Sequence, residues 1–237
     1  MGNKLFETFK KKKLALPVVH VLDEQTTYRN LELLQNCGAD GVFLISHGTM
    51  YADELINHRN DVMCRFDMWM GINFLDLNPY QAFTRMNNGF DGKLYGALDG
   101  IWTDNAGVED DNTAYADKLQ SVTGNLKSGI YFGGVAFKYQ KLVKDLTKVT
   151  QLARNYVDVI TASGEGTGKA ANLDKIITMH EAAEGFPMAI ASGVTPDNVD
   201  LYLPYIGAFL VATGISVDEN NFDLEKTKKF IDKVHSY

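Results

Sequence analysis

Cysteine is scarce in this chain: 237 residues hold two, Cys37 and Cys64. They are too few and too far apart for a disulfide framework or a paired CxxC metal or redox site, and they suit a reducing cytoplasm. Proline is scarce as well, five residues against 21 glycines, and no Pro-rich linker, charged tail or low-complexity tract divides the chain. Long apolar runs are missing. The first candidate, LALPVVHVL, is short, contains Pro17 and reads as a strand, so neither a signal peptide nor membrane insertion is expected. The lead-in before it, MGNKLFETFKKKK, is basic, but Phe6 stands where a myristoylation signal on Gly2 wants Ser or Thr. It reads as an amphipathic helix covering one end of the fold. An excess of positive charge is absent too: the net charge of −7 argues against a broad nucleic-acid footprint. What remains is a cytoplasmic globular protein whose partners are small ligands or other proteins, with a homo-oligomer compatible with its size.

What is present is a succession of short β-rich runs separated by helical patterns, the signature of βα units around a parallel sheet. The runs are LPVVHVL (16–22), GVFLIS (41–46), MGINFL (70–75), LYGALD (94–99), GIYFGGVAF (129–137), VDVITAS (157–163), PMAIAS (187–192) and AFLVAT (208–213). Between them apolar residues recur at helical spacing: Leu142, Leu146 and Val149 after the fifth run, Leu173, Ile176 and Ile177 after the sixth. Eight such units predict an α/β fold, one (β/α)8 TIM barrel of eight parallel strands over residues 1–237, with 1–14 as the basic lead-in. A doubly wound open sheet is the structural alternative.

The stretch TASGEGTGKAA (161–171) looks at first like a phosphate-binding P-loop. Aligned on Gly168 and Lys169, however, the first glycine of that motif becomes Ser163 and the magnesium-binding hydroxyl becomes Ala170. In a barrel the same stretch is the loop leaving strand six, on the face where barrel active sites are assembled. Strands seven and eight end alike, so that three ends carry a small hydroxyl residue and a glycine: Ser163–Gly164, Ser192–Gly193 and Thr213–Gly214. With Gly166, Thr167, Gly168 and Thr195, these are the candidate phosphate-binding residues of a phosphate-binding barrel. Glycine admits a close ligand, and a helix starting at TPDNV would offer free amides to an anion. Small residues that merely relieve crowding in tight turns explain the same pattern. On the phosphate reading, a carboxylate introduced at Gly193 abolishes binding without unfolding the chain.

The remaining strand ends bring polar groups toward one basin: His20 and Asp23, Ser46 and His47, Asn73 and Asp76, Asp99 with Asp104 and Asn105, and Lys138. His20, Asn73, Asp99 and Lys138 are the candidates for chemistry, since imidazole, carboxylate and amine groups move protons or bind charge. Lys138 can also form a Schiff base with a carbonyl substrate, or simply contact a phosphate. No H-E-x-x-H is present and no catalytic metal is assigned; magnesium held by Asp99 or Asp104 beside a phosphate is the one cofactor the sequence leaves room for.

VVHVLD after the basic lead, GINFLDLNP, GGVAFKYQK, ITASGEGTGKAANLDKI, IASGVTPDNV and FLVATGIS, in this order, resemble the BtpA/SgcQ family over nearly the whole chain. The resemblance implies a TIM-type barrel related to the phosphate-binding barrels. It places the family's strand-one histidine on His20, its strand-three asparagine on Asn73, and its T-G and S-G-V-T loops on Thr167–Gly168 and Ser192–Thr195. Two departures stand out: LDEQTT replaces a Pro-rich loop after the first histidine, and SHG replaces an acidic-Asn motif at the second strand end. Members carry labels as different as photosystem I assembly factor, sugar-operon protein and adenine phosphoribosyltransferase. The acidic-pair loop by which most phosphoribosyltransferases hold ribose phosphate is absent here. The expectation is an enzyme acting on a small phosphorylated metabolite, a sugar phosphate or nucleotide; a non-catalytic assembly factor and a metabolite sensor are the alternatives.

Overall fold

The computed structural model describes residues 3–46, 48, 50–94, 96–123 and 129–237. Nine strands form its sheet: β1 Leu14–Ala15, β2 Val18–His20, β3 Gly41–Ile45, β4 Trp69–Asn73, β5 Gly100–Thr103, β6 Ile130–Gly134, β7 Val159–Ser163, β8 Met188–Ala191 and β9 Ala208–Leu210. All neighbours are parallel, in the order β1-β9-β8-β7-β6-β5-β4-β3-β2. The two ends of that order are consecutive pieces of one stretch of chain. Pro17, which has no N–H to give a ladder, lies between them. On one side Leu16 N and Val18 N bond to Phe209 O and Val211 O; on the other Phe43 N bonds to Pro17 O. The sheet therefore has nine strands where eight were expected, with Pro17 standing between β1 and β2.

Helices separate the strands: α1 Lys4–Phe9, α2 Glu24–Asn36, α3 Ala52–Met63, α4 Pro79–Asn87, α5 Ala114–Thr123, α6 Leu146–Ala153, α7 Leu173–Ala183 and α8 Leu224–His235. Their starts follow capping chemistry. Asp23, Asp145, Asn172 and Asp223 accept amides of the first turn, and Asn78 with Gln81 makes a capping box ahead of Pro79. The helix read at TPDNV is not there: between β8 and β9 the chain forms turns and a three-residue 3-10 helix, Val199–Leu201. Leu142 precedes α6 and is 87% exposed, so the helical face after β6 starts later than its apolar spacing suggested.

The predicted fourth strand, 94–99, is displaced. Leu94 follows a 3-10 turn, Gly96 has φ +69°, Tyr95 lies outside the described residues, and the strand itself is GIWT at 100–103. A repeated device fixes the register. Asp40, Asp99 and Asp158 stand immediately before β3, β5 and β7, and each carboxylate accepts an amide from an earlier strand: Ala15 at 2.8 Å, Met70 at 2.9 Å and Tyr131 at 2.9 Å. The carboxylates pay for part of the backbone desolvation at the N-terminal edge of the sheet.

Side chains alternate across the sheet. Outward residues such as Ile72, Ile101, Ile160 and Ile190 pack beneath the helices, while Phe43, Trp102, Phe132, Val159 and Leu210 fill the interior. Gly71 and Gly100 make room for that interior: a Cβ at Gly71 would sit 2.3 Å from the Phe43 ring, and one at Gly100 2.4 Å from the Trp69 ring. The resulting aromatic column runs from Phe9 through Trp69, Phe43 and Trp102 to Phe137, with centroid spacings of 5.4, 5.2, 5.8 and 6.0 Å. The lead-in helix closes the lower end with Phe9 and buried Leu5. Its lysines are tied down, Lys11 to Asp40 and Lys13 to the carbonyls of Leu203 and Ile206.

Candidate functional site

The period-two alternation decides which strand-end residues reach the upper mouth. His20 follows inward Val18, and Asp104 follows inward Trp102, each by two residues. At this end lies a cavity of about 290 Å³. Its floor is apolar, made by Val18, Ile45, Trp102 and Leu210; its walls carry His20, Asp104, Lys138, Thr167, Ser192 and Thr213, with Gly168, Gly193 and Gly214. Wider clefts flank it: one of about 690 Å³ shares His20, Thr167 and Thr213, and one of about 660 Å³ shares Asp104 and Lys138. The smaller central cavity is where polar groups from many strands meet over a buried floor, which is the usual character of a ligand site.

Lys138 is its centre of charge. The ammonium lies 3.3 Å from Thr167 Oγ1 and 3.4 Å from Ser192 Oγ, and its backbone N–H donates to Ser163 Oγ at 2.7 Å. Ser192 has φ +78°, and on the same face Ala136 and Tyr139 have φ +48° and +64°. Left-handed geometry at residues with a Cβ costs energy and collects at functional loops. Across the mouth, Asn73 donates from Nδ2 to Asp104 Oδ1 at 3.1 Å. That bond orients the carboxylate.

Several candidates are used otherwise. Ser163 is fully buried, accepting from Lys138 N and donating to Gly164 O at 2.9 Å, so its hydroxyl is a brace. Gly164 needs its missing Cβ to clear Lys169 O, which would be 2.1 Å away. Gly166 is buried in the same loop, and the Thr195 hydroxyl accepts Asp197 N at 3.2 Å within a turn. None of these four lines the central cavity. Asp99 is at the opposite end of its strand, facing Met70 N and the buried Arg59, and cannot join a magnesium ion at the mouth. Asp23 caps α2 and Asp76 accepts Ala52 N at the start of α3. Asn105 turns its side chain onto Gly107 N, Ser46 bonds Met50 in its own loop, and His47 lies outside the described residues. Among the described residues no three His, Cys, Asp or Glu side chains converge as a metal cluster.

The strand-end glycines have a packing role. Gly164 and Gly193 both abut the Lys169–Ala170 backbone, and Gly214 abuts Val194 O, where a Cβ would be 1.9 Å away. The loops after β7, β8 and β9 therefore interlock. A carboxylate at Gly193 would disrupt this interlock before it met any ligand, which overturns the expectation of a folded binding-null variant.

Lys175 went unnoticed in the sequence. From the first turn of α7 its ammonium donates to Ala136 O and Ser163 O, tying the loops after β6 and β7; burial pulls its pKa down to about 8, with Glu165 opposing. No local pattern marks it. Trp102 was missed because β5 was placed six residues early; alternation from Gly100 points it inward.

Residues 18–236 match the model of the BtpA family. The chain belongs to that family. The uncharacterised protein TK2179 of Thermococcus kodakarensis is 30% identical over 82 residues, a match covering 33% of this chain and 31% of that protein. Among solved structures, (S)-3-O-geranylgeranylglyceryl phosphate synthase from Thermoplasma acidophilum, in complex with substrate sn-glycerol-1-phosphate, is similar with TM-score 0.68 and 10% identity over 98% of this chain and 97% of that one. Orotidine 5'-monophosphate decarboxylase from Methanocaldococcus jannaschii, complexed with inhibitor BMP, gives 0.65 and 14% over 95% and 100%. Phosphoribosyl anthranilate isomerase from Thermus thermophilus gives 0.62 and 14% over 94% and 98%. At such identities the likeness is one of fold: this BtpA-family chain is a TIM barrel. No helix among the described residues is long and apolar enough to cross a membrane.

Proposed function

We propose that this BtpA-family protein is an enzyme acting on a small phosphorylated metabolite, built on a phosphate-binding barrel that counts eight strands when β1 and β2 are taken as one. The observation that carries this reading is Lys138, a cation set between the Thr167 and Ser192 hydroxyls at the mouth. Phosphate needs that combination of charge and short donors. Thr213 and the glycines at 168, 193 and 214 complete the wall. Asp104, oriented by Asn73, and His20 are the groups able to move a proton beside the bound compound. The likeness in fold to a synthase solved with sn-glycerol-1-phosphate and to orotidine 5'-monophosphate decarboxylase supports the phosphate reading.

Thermal shifts test it. Inorganic phosphate, ribose 5-phosphate and a nucleoside monophosphate are compared with the unphosphorylated parents, with and without magnesium. A ligand at about 100 times its Kd adds roughly 2.7 kcal/mol, which is easily seen. Phosphorylated compounds should raise the melting temperature, and Lys138→Met should lose that rise while melting normally by itself. No shift with any phosphorylated compound would sink the proposal.

A further inference from the structure

The central cavity, at about 290 Å³, is small for a whole phosphate ester, since pockets that enclose a complete small molecule run to roughly 300–1,000 Å³. The body of such a ligand must extend into one of the two clefts beside it, and their walls differ. The cleft shared with Asp104 and Lys138 is walled by charge already in use: Asp110 accepts the amides of Lys144 and Asp145, and Asp111 pairs with Lys148 at 2.7 Å. An apolar body laid there would strip water from ions. The other cleft, of about 690 Å³, shares His20, Thr167 and Thr213 with the cavity and is walled beyond them by Leu22 and Val217. Those two aliphatic residues are 42% and 67% exposed. Scattered exposed aliphatics need no explanation, but two that line one cleft next to a polar site mark a surface to be covered.

Both walls are built against one helix. Leu22 immediately precedes Asp23, the cap of α2. The turn carrying Val217 is closed by Val217 N bonding to Asn221 O at 2.8 Å and by a bridge between Ser216 and Phe222. Asn30 of α2, itself 3% exposed, donates to Asn220 O at 2.7 Å, so the helix that follows one wall also anchors the other. Glu219 and Asn220 complete the rim.

We infer that this cleft is a base-recognition subsite, and that the substrate class is a nucleoside monophosphate rather than a bare sugar phosphate. The inference rests on the phosphate reading above and deepens it. Phosphate lies against Lys138, Thr167 and Ser192, the sugar passes His20 and Thr213, and the base enters between Leu22 and Val217, displacing the water that covers them. At the rim Glu219 and Asn220 supply acceptors for the N–H groups of a base edge, which an alkyl chain would leave without use.

Titration calorimetry of the unaltered protein tests this with inorganic phosphate, ribose 5-phosphate, and adenosine, guanosine, cytidine and uridine 5'-monophosphates. At least one nucleotide should bind about tenfold or more tightly than ribose 5-phosphate, because the base covers two aliphatic side chains that the sugar does not reach. Leu22→Ser combined with Val217→Ser, both at exposed positions, should erase that advantage and leave ribose 5-phosphate affinity unchanged. The comparison on the unaltered protein stands even if the double variant folds poorly. Ribose 5-phosphate binding as tightly as every nucleotide, or a folded double variant that keeps the nucleotide advantage, overturns this inference and leaves the phosphate reading intact. If none of these compounds binds, the phosphate reading falls and this inference with it.

Discussion

Gly193 and Lys169 meet backbone against backbone: a Cβ on Gly193 would lie 2.1 Å from the Lys169 carbonyl oxygen, and Gly193 also holds φ +73°. Gly168 has nearly the same conformation, φ +74°, with nothing within 4 Å of its Cβ position. The pair separates conformational cost from steric cost. Gly168→Ala should lose about 1 kcal/mol, the usual penalty of a left-handed alanine. Gly193→Ala should lose clearly more, on the order of 2–4 kcal/mol, because backbone must also move. Urea unfolding of the two variants measures the difference, and equal losses would show that the loops yield without cost.

That relationship also shows how far the sequence could be read. The spacing of apolar runs marked the parallel strands, and glycines at three strand ends marked the loops that meet at the mouth. Their reason was hidden, because Gly193 answers to Lys169 and Gly214 to Val194, contacts made in space. Ser163 looked like a phosphate ligand for a similar reason: its partner, Lys138 N, is 25 residues away in the chain. The strand at 94–99 was misplaced because LYGAL is apolar enough to pass as one. The Asp-Gly pairs at 40–41 and 99–100 were the better signal, since both open a strand with the same carboxylate-to-amide bond. Once that register is corrected, Asp99 leaves the site and Asp104 and Trp102 enter it.

Asp99 and Asp104 should therefore fail in different assays. Asp99→Ala removes the acceptor of Met70 N and the carboxylate beside buried Arg59, and should cost about 1–3 kcal/mol with ligand affinity preserved. Asp104→Asn keeps the shape at the mouth and should leave the melt nearly unchanged while lowering turnover or altering ligand affinity. Paired melting and binding measurements decide, and a binding defect confined to Asp99→Ala would reverse the assignment of strand ends.

His58 gives the fold an acid-sensitive point. It is 8% exposed on α3, lies against Tyr28 at 6.4 Å, and its Nε2 has no acceptor among the described residues. Desolvation lowers its pKa, against the opposing pull of Asp61, Glu24 and Asp23. Between the lowered folded value and about 6.5 the unfolded chain binds a proton that the folded chain does not. Stability from this group is complete above about pH 6.5 and falls on acidification. His58→Phe, which keeps the ring against Tyr28, should lose less stability than the parent between pH 7.5 and 5. Parallel urea midpoints for the two proteins would expose the error.

Lys175 acts with the same sign in an alkaline window. Its amine has a folded pKa of about 8 against 10.5 for an ordinary lysine, chiefly through burial between Ala136 O and Ser163 O. Below pH 8 both states are protonated and the cost of burying the ammonium is present in full. From pH 8 to 10.5 the unfolded chain holds more protons than the folded one, so this group's contribution to stability rises with pH. Reactivity offers the direct measurement, since Lys175 lines a cleft of about 590 Å³ between the loops after β6 and β7. At pH 8 about half of its amines are uncharged, against roughly one in three hundred for an ordinary lysine. Pulsed acylation read by mass spectrometry should give Lys175 a labelling midpoint near pH 8, well below that of the lysine in an unstructured reference peptide labelled alongside. A Lys175 profile that tracks the reference peptide would mean that the ammonium keeps its proton, and that the bonds to the two carbonyls outweigh its desolvation.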